Sequence, residues 1–91
     1  MNPDFRKTLH FRLQENYTFP ARYTFKFIVP SEQEKIDFLC ALFPPDQVQV
    51  SLKTSAKQNF TSITIRATMP SAEAILEKYE AAAVVPGIIS L

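Results

Sequence analysis

The chain has one histidine, His10, and one cysteine, Cys40, so any nucleophile or metal site must be sought around them. A nucleophile needs a base within hydrogen-bond reach and a third group to orient that base. His10 falls in a stretch patterned as a peripheral helix, where a solvated imidazole is the simplest expectation. Cys40 falls on the apolar stripe of a second helix and reads as a small buried hydrophobe. One His and one Cys do not make a metal ligand set. The remaining candidates are carboxylates: Glu32, Glu34, Asp37, Glu73, Glu77 and Glu80. All lie on outward helix faces, at spacings typical of solubilising charge. A single glycine in the chain leaves no Gly-rich loop to cradle phosphates. These residues predict no enzyme, no catalytic group, no metal and no other cofactor.

The cations are better organised than the acids. Arg22, Lys26, Lys53, Lys57 and Arg66 lie in the stretches from Asn16 to Ser31 and from Gln47 to Ala72, where no acid occurs. The two helical stretches that follow Pro30 and Pro70 each carry three acids and one Lys. A net charge of +1 thus conceals a basic sheet side and an acidic helix side. Strand alternation puts Lys26, Ser51, Lys53, Ser62, Thr64 and Arg66 on one outward face. Cations interleaved with hydroxyls suit a phosphate, a carboxylate or an acidic partner. The same residues would also serve as a plain solvated face. A protein partner or self-association and a small anionic ligand stand as the functional alternatives. Nucleic acid is disfavoured, because sheet-type RNA readers stack bases on aromatics of the central strands. Here those positions are Thr24, Lys26, Ser62 and Thr64, with only Phe60 at the margin.

The element that must position this face is Phe19 to Pro30. Tyr23, Phe25, Phe27 and Val29 alternate with Thr24, Lys26 and Ile28, which predicts a central strand with the aromatic set turned to the core. Residues 4–16 carry Phe5, Leu9 and Leu13 at helical spacing, with Asp4 placed to cap them. Ser31 to Glu34 has the pattern of a capping box. Ile36, Leu39, Cys40 and Phe43 form the stripe of the helix that follows, ended by Pro44-Pro45. Phe38 and Leu42 widen that stripe and offer a dock for the N-terminal helix. Gln47–Thr54 and Phe60–Thr68 alternate as two strands of a hairpin. Ser71 caps a last helix with Ala72, Ile75, Leu76, Tyr79 and Ala83 inward. Gly87–Leu91 is expected to be a final strand, whose apolar edge could pair with another chain.

Ninety-one residues make one packed unit, rich in aromatics, with eight Phe and three Tyr. One cysteine forms no internal disulfide, which favours a reducing compartment. Charges at Asp4, Arg6, Lys7 and Arg12 interrupt any signal-peptide pattern. The apolar run from Ala81 to Ile89 is too short to span a membrane. The expectation is a soluble cytoplasmic protein without a membrane partner.

The order (α)-β-α-β-β-α-β predicts an α+β fold of ferredoxin-like type. It has a four-stranded antiparallel sheet with two helices on one face, the first and third strands central, plus a short N-terminal helix. Residues 1–18 form the helical extension and 19–91 the main domain. Phe19-Pro20, Tyr23 to Pro30, Ser55-Ala56-Lys57 leading to Phe60–Thr64, and Gly87–Leu91 follow one another in an order and spacing that resembles the YbeD-like family of small bacterial proteins. The resemblance implies an ACT-like ferredoxin fold and, by analogy, a regulatory or ligand-sensing role. Two positions depart from it. Val29-Pro30 stands where ACT-like ligand sites use a glycine, and Gln58-Asn59 replaces the hairpin glycine of many relatives. Asn59 is expected to adopt the left-handed conformation instead. The reading that follows is a non-catalytic regulatory or adaptor module working through protein contacts. The alternative is an ACT-like sensor of a small anionic metabolite.

Overall fold

The structure, a computed structural model, describes residues 2–44, 46 and 48–91. Its elements are α1 (Pro3–Asn16), β1 (Ala21–Pro30), α2 (Gln33–Ala41), β2 (Val48–Thr54), β3 (Phe60–Met69), α3 (Ala72–Ala82) and β4 (Ile89–Ser90). Four antiparallel strands and three helices make an α+β fold. The sheet order β2-β3-β1-β4 is compatible with the ferredoxin-like arrangement. Strands β1 and β3 are central. They share a ladder running from Ala21 opposite Met69 to Pro30 opposite Phe60.

The alternation along β1 holds. Phe25, Phe27 and Val29 are fully buried, whereas Thr24 and Lys26 are exposed. On β3 the inward set is Thr61, Ile63, Ile65, Ala67 and Met69. Leu39 and Phe43 of the α2 segment, and Ala72, Ile75, Leu76 and Tyr79 of α3, close the core over this face. Four rings meet there: Phe25 lies 5.0 Å from Phe43 and 5.3 Å from Tyr79, and Phe27 lies 5.9 Å from Tyr79.

The helix ends differ from the sequence expectation in instructive ways. Asn2, not Asp4, caps α1: its side chain accepts from the Asp4 amide at 2.8 Å. Pro3 explains the shift, because its fixed φ suits the first helical position and so moves the cap two residues back, to Asn2. Asp4 then sits in the first turn, where the helix dipole favours it. The Ser31–Glu34 capping box does not form. The Ser31 amide donates to the Asn59 carbonyl at 3.0 Å, and its hydroxyl pairs with that of Thr61 at 2.8 Å. Ser31 is therefore tied to residues at the end of the β1–β3 ladder, and α2 starts later, from Glu32, without a side-chain cap. Ser71 does cap α3, accepting from the Ala74 amide at 3.1 Å. Ala82 is buried there and Ala83 is exposed, reversing the expected last member of the stripe.

Helix α1 packs against α3, not against Phe38 and Leu42 of α2. The guanidinium of Arg6 reaches both Glu73 and Glu80, at 2.6 Å for the latter. Glu73 and Glu80 are two turns apart on α3 and so share one side of that helix. Of the α1 stripe, Leu13 is buried in the core, Leu9 is half-buried and Phe5 is exposed. Phe38 also stays exposed.

The last strand is shorter than Gly87–Leu91. Only Ile89 and Ser90 pair with β1, and the Leu91 amide adds a bond to the Lys26 carbonyl at 2.9 Å. In the hairpin the left-handed residue is Gln58 (φ 60°), not Asn59. Asn59 is held by β1, since its carbonyl receives the Ser31 amide. Pro45 and Gln47, expected at the end of the first main helix and the start of β2, lie outside the described residues.

Candidate binding face

The uncovered face of the sheet is built from the outward positions of β1, β3 and β2. Pair register turns them into rows. Thr24, Arg66 and Gln49 form one row, Lys26, Thr64 and Ser51 the next, and Ile28, Ser62 and Lys53 the third. All six sequence-predicted residues, Lys26, Ser51, Lys53, Ser62, Thr64 and Arg66, therefore share this face. Lys26 and Arg66 are diagonal neighbours on adjacent strands, about 7–8 Å apart at Cα. Lys53 stands on the far strand, one row beyond Lys26.

The electrostatics are one-sided. No Asp or Glu occupies an outward position of β1, β2 or β3. Among the described residues neither Lys26, Lys53 nor Arg66 enters an ion pair. Gln49, Ser51, Thr64 and Arg66 line a shallow depression of about 200 Å³. One guanidinium, two hydroxyls and an amide around such a hollow can donate to a phosphate or carboxylate.

Beside it lies a second hollow of different character. Ile28, Phe60, Ile89 and Ala56 line about 370 Å³ of mostly apolar surface, with Lys53 and Ser62 at its rim. Sequence alternation had placed Ile28 and Phe60 outward without joining them to Ile89. The signal was the one apolar residue, Ile28, in the outward series of β1. Ile89 could be added only once the β1–β4 register put it directly opposite Ile28.

A third concavity of about 450 Å³ opens between α1, α3 and the edge of β1, lined by Phe5, Leu9, Tyr23, Tyr79 and Leu91. The sequence reading missed it, because it depends on α1 crossing to α3. The Tyr23 and Tyr79 hydroxyls bond each other at 2.8 Å across its floor. Burial, and then that bond, push the Tyr79 hydroxyl well above the ordinary tyrosine range. A phenol shifted in this direction is a poor proton donor.

The residues with possible nucleophilic chemistry lie apart. Cys40 is partly buried on α2, where desolvation and then Asp37 push its thiol up, away from the reactive thiolate. His10 is on α1, with Nε2 3.7 Å from a Glu73 oxygen. Hydrogen bonds from Arg6 hold Glu73 below the usual carboxylate range. Among the described residues no three of His, Cys, Asp and Glu come together as a metal site. No helix there is long and apolar enough to cross a membrane.

The family described as protein of unknown function (DUF493) matches residues 14–90. No curated protein matches the chain, and no solved structure does.

Proposed function

The chain belongs to the family described as protein of unknown function (DUF493), and from that premise we propose a non-catalytic regulatory or adaptor module whose open sheet face binds an acidic protein partner. One observation carries this reading. Lys26, Lys53 and Arg66 share a face with four hydroxyls and no acid. Like charges kept together repel modestly, and salt screens only part of that. An anionic partner turns the arrangement into attraction. The apolar hollow around Ile28, Phe60 and Ile89 favours a protein over a small molecule. A partner segment with acidic groups for the cations and one apolar side chain for the hollow fits both halves of the face. The strand order suits a ferredoxin-like domain, the resemblance to YbeD-like proteins extends that reading to an ACT-like fold, and the single cysteine favours a reducing compartment such as the cytoplasm.

The second reading is an ACT-like sensor of a small anionic metabolite. The hollow of about 200 Å³ beside Arg66 favours it. The experiment that separates the two is affinity purification from the native cell, followed by binding measurements with Lys26→Glu combined with Arg66→Glu. Both side chains point to solvent, so the double variant is expected to fold. It should bind the purified partner more weakly, with the larger loss at low salt. Unchanged binding across salt concentrations refutes the proposal. A metabolite that raises the melting temperature, without any protein partner, selects the sensor.

A further inference from the structure

Strand β2 is a sheet edge with a single charge, Lys53, to blunt it. Val48–Thr54 pairs with β3 on one side, and among the described residues no strand pairs with the other. Natural proteins defend such edges with charged side chains (Lys above all), proline, a bulge, an inward-pointing charge or a covering helix. β2 has no proline, and its register with β3 runs without a bulge. Its one charge, Lys53, points to the open face. Val50 and Leu52 lie opposite buried Ile65 and Ile63 on the core side, yet are 43% and 54% exposed.

The direction of the free backbone groups follows from the turn. The Ser55 amide donates to the Phe60 carbonyl at 2.8 Å, so Ser55 faces β3. Alternation then turns the N–H and C=O groups of Val48, Val50, Leu52 and Thr54 outward. We propose that this edge pairs antiparallel with the same edge of a second copy, about a two-fold axis at Ser51, joining two sheets into one of eight strands.

The pattern of β2 is its own complement about that axis. Val48 meets Thr54 of the second copy and Val50 meets Leu52, so all four outward residues of each strand exchange hydrogen bonds. Ser51 meets Ser51 as the non-hydrogen-bonded pair on the axis. On the core side the apolar side chains of Val50 and Leu52 cover each other. On the open side Gln49 faces Lys53, and no like charges are opposed. An axis at Val50 or Leu52 runs part of the ladder off the strand, and one at Lys53 sets lysine against lysine, which is unfavourable. A closed, isologous pair of this kind uses up both free β2 edges and so stops at two copies. The pairing does not rest on the function proposed for the open face. It is read by mass, whereas the face is read by partner binding.

Sedimentation of the full chain from micromolar to millimolar concentration tests it. The mass should rise from 10.4 kDa toward twice that value. Leu52→Pro removes an outward N–H that β3 does not use, which an edge strand tolerates. Leu52→Pro and Leu52→Lys should each raise the dimer dissociation constant by about tenfold or more. Gln49→Glu should tighten the dimer and Gln49→Lys loosen it, since position 49 faces Lys53 only in this register. In a Cys40→Ser background, Ser51→Cys should oxidise to a disulfide-linked dimer, because a non-hydrogen-bonded pair brings the Cα atoms to about 4.5 Å. Gln49→Cys should not. A mass of one chain at every concentration overturns the proposal. So does a dimer that ignores Leu52→Pro and fails to cross-link through the Ser51→Cys variant.

Discussion

Gly87→Ala should weaken the whole domain although it adds one methyl group. Gly87 is the only glycine in the chain and has φ +79°, where a residue with a Cβ pays about 1–2 kcal/mol. That Cβ would also stand 2.9 Å from Pro30 Cγ and 3.2 Å from Cδ. Pro30 cannot simply swing away, being the last ladder residue of β1, opposite Phe60. Overpacking of this sort costs about 1–3 kcal/mol. Together the two effects come to about 2–5 kcal/mol, against about 5–14 kcal/mol for the stability of a domain this size. The corresponding fall in Tm is about 10–40 °C. Urea unfolding followed by circular dichroism measures it, and the midpoint should drop without a change in slope. Gly87→Asn separates the causes, because asparagine tolerates the left-handed region but still meets Pro30. The expected order of stability is Gly, Asn, Ala. A Gly87→Ala protein with the native midpoint refutes the reasoning, and Asn equal to Gly refutes its steric half.

Phe27→Asp should abolish folding: it removes a fully buried ring and buries an unpaired carboxylate, costs of several kcal/mol each. Native-like thermal stability in that variant would mean the faces of β1 are reversed. Alkali should destabilise the protein through Tyr79, whose folded pKa is raised above its ordinary 10.0. That contribution is complete below pH 10 and is lost as pH rises further, so Tyr79→Phe should flatten the fall in urea midpoint above about pH 10; an equal fall in both proteins argues against it. Deleting residues 1–16 should leave a folded domain, weaker by about 2–3 kcal/mol for the lost burial of Leu13, with new dye-binding surface over α3. Loss of all cooperative unfolding in the truncated chain would place α1 in the indispensable core. Acid should loosen α1 in the intact chain, because Glu73 is held below its ordinary 4.5 by Arg6 and that support disappears as pH falls through the lowered value. Resistance of α1 to proteolysis that is unchanged in acid would exclude this.

The sheet was legible because period-2 alternation in β1, β2 and β3 is local information: each residue's face depends on its parity along the strand. The shared face of Lys26, Ser51, Lys53, Ser62, Thr64 and Arg66 follows from that parity once the strands are adjacent. Local rules failed where a distant residue competed for the same group. Ser31 satisfies the capping pattern, but Thr61 and Asn59 take its hydroxyl and amide. Asn59 is the better left-handed residue, yet its carbonyl is taken by the Ser31 amide just beyond the β1–β3 ladder, and Gln58 adopts that conformation instead. The dock of α1 was misjudged for a similar reason. Apolar width on α2 offers a dock, but burial of Leu13 and Leu9 against the core places α1 on α3, and Arg6 adds exposed pairs with Glu73 and Glu80. In β2 alternation tells which side Val50 and Leu52 face and not whether anything covers them.

The ladder between the two central strands also sets a timetable. Ala21 faces Met69 across more than half of the chain, whereas Thr54 faces Thr61 across one tight turn. Closing the longer loop costs more entropy before any contact repays it. The β2–β3 hairpin can form within microseconds, but β1 must travel to it, so arrival of β1 is the slow event. Until then Ile63 and Ile65 stand in water beside Val50 and Leu52, an apolar ribbon along a newly made hairpin. A growing chain has already released β1 when that hairpin emerges, and the interval of exposure is correspondingly brief.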